Sequence, residues 1–132
     1  MCNKNLKSKI LIIGFSDDIY KFHYALAMAS TLSAIEKKVS IFFSGYACKY
    51  LQKDWGEYTS NNISNKFREK KMPSLEELFK YCNDLNVNLY FCETALSFLD
   101  IKKTDLINYI KVKPIGMYTI LNDHKKDQLI FI

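Results

Sequence analysis

The chain has 132 residues, 48% of them hydrophobic and 25% charged, with four Gly and two Pro. That is the size of one domain with enough large apolar surface for a packed core, and it excludes collagen-like, low-complexity and repeat architectures. Nineteen Lys+Arg against 14 Asp+Glu give a formal charge of +5, spread along the chain apart from Lys66, Arg68, Lys70 and Lys71, a cluster that reads as a solvated loop rather than a nucleic-acid stripe.

Lys9-Ile10-Leu11-Ile12-Ile13-Gly14-Phe15 is a continuous apolar, β-branched run, the pattern of a strand buried on both faces, and Ser16-Asp17-Asp18 turns the chain after it. Phe22, Ala25, Leu26, Ala29, Leu32 and Ile35 then recur at three- and four-residue spacing, which predicts a helix over 19–36 capped by Asp17 or Asp18. A second strand is predicted at 39–43, closed by Ser44-Gly45. Strand, helix, strand with short joints demands a right-handed parallel crossover.

Residues 46–72 are polar and rich in Asn, Ser and Lys, and read as a long irregular insert. Ser74 followed by Glu77 is a capping box, so a helix starts at 75 with Leu75, Leu78, Phe79, Cys82 and Leu85 inward. A third strand is predicted at 87–91, with Cys92 at its carboxyl end. A short helix at 93–99, a further helix at 103–109, a fourth strand at 110–115, a last helix at 117–124 and a fifth strand at 128–132 complete the reading. The chain is therefore expected to be one α/β domain spanning residues 1–132, a three-layer sandwich of flavodoxin-like architecture around a mostly parallel five-stranded sheet.

No apolar run approaches the ~18 residues of a membrane span, and Met1-Cys2-Asn3-Lys4-Asn5 leads into a strand rather than a signal-peptide core, so a cytoplasmic protein is expected, with no membrane and no nucleic-acid partner. A reducing compartment makes the four cysteines thiols. None of them forms a CxxC pair and only two His exist, so no metal site is expected. Gly14 has no GxGxxG or GKS/GKT continuation, so no phosphate loop and no cofactor is expected either.

The functional crevice of such a sheet lies beyond the carboxyl ends of its strands, where the strand order reverses. This gathers Ser16 and Asp17, Ser44 and Gly45, and Cys92 with its neighbours Glu93 and Thr94. Only Cys92 there is a nucleophile. A helix start beside it supplies N–H groups that lower a thiol pKa, while the Glu93 charge opposes them. A buried small hydrophobe at a strand end is the alternative for Cys92. Cys48 can reach the same crevice as an accessory or resolving thiol, Cys82 falls on the core stripe of its helix, and Cys2 lies in a terminal tail. His23 reads as a packing residue and His124 as a solvated helix-end residue.

Met72-Pro73-Ser74-Leu75-Glu76-Glu77-Leu78, the Val87 to Cys92 strand, Ile101-Lys102-Lys103-Thr104-Asp105-Leu106-Ile107, Gly116 and the terminal Leu129-Ile130-Phe131-Ile132 together resemble the DsrE/DsrF/DsrH-like family, in its branch often labelled peroxiredoxin-like. The resemblance runs over nearly the whole chain, including residues 25–43. It implies a DsrE-like fold, a homo-oligomer, and sulfur-relay chemistry in which the strand-end cysteine, Cys92 here, carries a persulfide between donor and acceptor proteins. A non-catalytic ligand- or partner-binding module, and a thiol redox protein pairing Cys92 with Cys48 or Cys82, are the rival functions.

Overall fold

A computed structural model describes residues 8–58 and 62–132; the tail reading of Cys2 lies outside them. Five strands, β1 (Lys9–Gly14), β2 (Lys38–Phe43), β3 (Asn88–Phe91), β4 (Lys113–Pro114) and β5 (Gln128–Phe131), form one sheet in the order β4-β3-β2-β1-β5. Every pairing is parallel, where the sequence suggested only a mostly parallel sheet. The helices are α1 (Ile19–Ala34), α2 (Ile63–Glu69), α3 (Leu75–Asp84), α4 (Glu93–Phe98) and α5 (Met117–Asp123). The sheet is thus of the α/β class anticipated from the alternating pattern.

Strand parity sorts the core into two faces. The register aligns Ile12 with Ile41 and Gly14 with Phe43, and then Ile41 with Leu89 and Phe43 with Phe91, so these side chains share one face. Both α1 and α3 pack there. Phe22 of α1 stacks on Phe43 with ring centroids 4.9 Å apart, and Phe79 of α3 meets both rings edge-on at 5.9 and 6.5 Å. The chain then returns from β4 at one edge to β5 beyond β1; the right-handed crossover rule carries α5 over the opposite face.

Local signals acted where they were expected. Asp18 caps α1, accepting the Tyr20 and Lys21 N–H groups at 2.8 and 3.0 Å. Ser74 and Glu77 form the reciprocal capping box of α3, both bonds 3.0 Å long. Cys82 is fully buried on the inner stripe of α3, its thiol donating to the Leu26 carbonyl at 3.5 Å. The buried His23 ring stacks on Phe67 and Nε2 donates to the Pro73 carbonyl at 2.8 Å, which ties α1, α2 and the entry to α3 together.

Four readings change. The described part of 46–72 is regular rather than irregular: 3-10 turns at Gly45–Leu51 and Trp55–Tyr58 precede α2, and Ala47, Cys48, Tyr50 and Leu51 are buried. The helix expected at 103–109 is only a 3-10 turn, Lys103–Asp105. Backbone pairing with that same insert competes with it, since the Ile107 N–H donates to the Leu51 carbonyl at 2.9 Å and Gln52 bridges to Leu106. The fourth strand shrinks from 110–115 to the edge pair Lys113–Pro114, where the missing proline N–H costs nothing. His124 is also better covered than a solvated residue, its side chain 12% exposed with Nδ1 2.9 Å from the Asp127 carboxylate.

Candidate functional site

The parallel ladder runs one step past the end of three strands. The Ser44 N–H donates to the Gly14 carbonyl at 2.8 Å, the Cys92 N–H to Phe43 at 3.0 Å, and the Ile115 N–H to Phe91 at 3.1 Å. Ser44, Cys92 and Ile115 are thereby fixed side by side along the carboxyl edge of the sheet, and all three line one cavity of about 630 Å³.

Gly45, Glu93 and Thr94 join Ser44 and Cys92 on the wall. The rest is apolar, with Phe15, Tyr46, Ala95, Phe98 and Met117 as the side chains of bulk or contact. Phe15 meets Tyr46 edge-on at 5.8 Å, and Tyr46 meets Phe98 at 6.3 Å, so three rings border the space. Gly45 makes the arrangement feasible: its φ is +51°, and a Cβ there would stand 2.3 Å from the Phe15 ring.

Cys92 occupies the N-cap position of α4 with its backbone extended and is 9% exposed. Its side chain accepts no capping hydrogen bond, and α4 is only six residues long. The help expected from a helix start is therefore small here, because the field of aligned peptides is weak in so short a helix. Glu93 turns to Lys103, Oε2 to Nζ 2.6 Å, in an exposed ion pair; its charge is spoken for and bears less on the thiol than an unpaired carboxylate would.

Cys48 lies behind this wall rather than on it. It is fully buried in the 3-10 turn after β2, and its Sγ donates at 3.4 Å to the Phe43 carbonyl, the same oxygen that receives the Cys92 N–H. Burial pushes its thiol up to about 12; the Cys92 N–H lowers it and a negative Cys92 raises it. Burial does the same to Cys82, also to about 12. Both remain protonated thiols at neutral pH.

Ser16 and Asp17 do not line the cavity. The Ser16 hydroxyl accepts the Asp18 N–H at 3.1 Å, and Asp17 pairs with Lys49 while its backbone carbonyl accepts the Tyr50 hydroxyl. Those contacts tie Asp17 to the Gly45–Leu51 turn and Ser16 to the start of α1. Burial first, then the Asp17 charge and hydrogen bond, raise Tyr50 to about 12. The strand order reverses between β1 and β5, yet the cavity sits over the ends of β1 to β4. Phe15, Tyr46, Ile115 and Met117 follow close on the strand ends at the same carboxyl edge; their apolar side chains carry no chemistry that marks them in the sequence.

Among the described residues no group of three or more His, Cys, Asp or Glu could hold a metal ion, and no helix is long and apolar enough to cross a membrane.

The DsrE/DsrF-like family model matches residues 12–130. No curated protein matches the chain in sequence. Among solved structures, the ychN protein from E. coli is similar at a TM-score of 0.63 and 11% identity, covering 96% of this chain and 100% of its own. MTH1491 from Methanobacterium thermoautotrophicum, a protein of unknown function, gives the same values. BT1422 from Bacteroides thetaiotaomicron, likewise of unknown function, has a TM-score of 0.59 and 13% identity over 95% of both chains. At such identities these likenesses concern the fold alone.

Proposed function

We propose, from the premise that the chain belongs to the DsrE/DsrF-like family, that it is a sulfur carrier in which Cys92 holds sulfane sulfur as a persulfide between a donor and an acceptor. The observation that carries this reading is the position of Cys92: among the described residues it is the cysteine that lines the cavity, whereas Cys48 and Cys82 are fully buried. Thiolate Cys92 attacks the outer sulfur of a donor persulfide, R–S–SH, giving Cys92–S–SH and R–S⁻. An acceptor thiolate then attacks the outer sulfur of Cys92–S–SH, takes it, and leaves Cys92 as thiolate. The attacking thiolate supplies the pair for the new S–S bond and the leaving thiolate keeps the pair of the old one, so the sulfur stays at the sulfane level and the cycle needs no external oxidant or reductant.

The dithiol alternative is less well supported. Cys48 is a thiol with a pKa pushed up to about 12 and makes a poor resolving nucleophile. Glu93, Thr94, Ser44 and Gly45 are proposed as the wall against which donor and acceptor bind; Ser16 and Asp17 are left out of that role because they do not line the cavity. We place the carrier in the cytoplasm, where a free Cys92 thiol persists, and as a homo-oligomer, which would cover apolar groups as exposed as Tyr118 (81%) and Phe131 (70%).

The test is site mapping by mass. After incubation of a Cys2→Ser chain with sodium polysulfide, the Cys92 peptide is expected to gain about 32 Da, one sulfur atom, and the same chain with Cys92→Ser added to gain none. Sulfur retained on the Cys92→Ser chain, or mapped to Cys48 or Cys82, contradicts the assignment.

A further inference from the structure

We infer that one of the two exchange partners of Cys92 is a small, uncharged thiol or hydropersulfide with an apolar, aromatic body, bound in the cavity with its sulfur against Cys92. This rests on the persulfide reading above and narrows it to a substrate class.

Size is the first argument. Passing one sulfur atom to a cysteine side chain needs only a slot, whereas the cavity beside Cys92 measures about 630 Å³, within the range that binds whole small molecules. Charge is the second. Among the described residues the one charged side chain on its wall is Glu93, already paired with Lys103, and no Lys or Arg lines it. Thiosulfate, or the carboxylates of glutathione persulfide, would enter without a compensating cation and would lose hydration for nothing in return. An uncharged aromatic body instead meets the Phe15, Tyr46 and Phe98 rings, which bury and stack such a group. Access is the third. Cys92 is 9% exposed and lines the cavity, while Phe98 on the same wall is 72% exposed, so the cavity joins the sulfur to a ring that solvent reaches.

The site is also built before any ligand arrives. Backbone bonds of 2.8 to 3.1 Å hold Ser44, Cys92 and Ile115 in line, and the Gly45 backbone seats the Phe15 ring. A preformed apolar wall selects by shape and polarity without an ordering cost. In the transfer itself bound R–SH and Cys92–S–SH become R–S–SH and Cys92–SH: the entering sulfur forms the new S–S bond to the outer sulfur as the old S–S bond breaks, and the proton of R–SH ends on the departing Cys92 sulfur, with no net oxidation. Run in reverse, the same molecule is a donor.

The experiment loads Cys92 of a Cys2→Ser chain with sodium polysulfide, then follows its discharge by intact mass with benzyl mercaptan or glutathione at equal thiolate concentration. Benzyl mercaptan is expected to discharge the protein at least about tenfold faster, and Phe98→Lys, at an exposed position, is expected to shrink or invert that ratio. Equal rates, or faster discharge by glutathione, overturn the inference. A second arm is independent of sulfur transfer: benzyl alcohol added to the unloaded protein is expected to shift the amide resonances of Tyr46, Thr94 and Phe98. Loading without preference and without shifts overturns this inference and leaves the carrier reading standing. Failure to load, with the shifts present, overturns the carrier reading and with it the exchange role, while the ligand preference of the cavity stands.

Discussion

At the scale of single residues, the cavity depends on a glycine as much as on a cysteine. Gly45 takes a left-handed φ of +51° and leaves its Cβ space to Phe15. Gly45→Ala is expected to cost about 1–2 kcal/mol in backbone conformation alone, to which displacement of the ring adds; urea unfolding measures the loss, and an unchanged midpoint would contradict the close contact. The thiols separate by burial. In a Cys2→Ser background at pH 8, iodoacetamide is expected to label Cys92 in the native protein, and to reach Cys48 and Cys82 only after denaturation, since both are buried with pKa values near 12. Cys92 was legible in sequence because a strand followed at once by a helix places the joining residue on the carboxyl edge. The rings around it were not, because Phe15 reads as the end of an apolar strand and Tyr46 as the first residue of a polar insert until the fold turns them toward one opening.

At the scale of elements, locally encoded features were readable and tertiary ones were not. The capping box of α3 needs only Ser74, Glu77 and the backbone between them, and it appears with both bonds at 3.0 Å. Ser74→Ala is expected to destabilise the protein by about 1 kcal/mol, read from the urea midpoint, with Ser74→Asp retaining most of the stability; equal loss in both variants would argue against a capping role. Residues 103–109 show the converse. Their spacing is helical, but the carbonyl of Leu51 draws the Ile107 N–H away and the Asp105 carbonyl accepts the Lys53 N–H at 2.9 Å. Those partners lie some fifty positions away in the chain, and no local window contains them. The same long-range pairing orders part of the insert that composition alone described as irregular.

At the scale of the whole molecule, the buried thiols make stability depend on alkaline pH. Cys48 and Cys82 rise from an ordinary 9.0 to about 12 on folding, so between those values the unfolded chain releases protons that the native state retains. Their contribution is fully present below pH 9 and is lost as pH climbs toward 12. Tyr50 and Tyr109, raised from 10.0 to about 12 chiefly by burial, act in the same direction from a higher starting pH. Urea unfolding is therefore expected to show stability falling from pH 8.5 to pH 10.5, at up to about 1.4 kcal/mol per pH unit for each thiol; a flat or rising profile would contradict their burial as thiols. The alternation of strands and helices made the class of the sheet legible, whereas which side chains its carboxyl edge would enclose depended on the all-parallel register.

One round of loading and discharge, followed by intact mass, tests the central claim most directly. The account predicts a gain of about 32 Da with polysulfide, return to the starting mass on addition of an acceptor thiol, and one equivalent of sulfane sulfur recovered on that acceptor. A chain that instead ends about 2 Da lighter, as a Cys48–Cys92 disulfide with free sulfide released, would contradict a carrier and make this a redox protein.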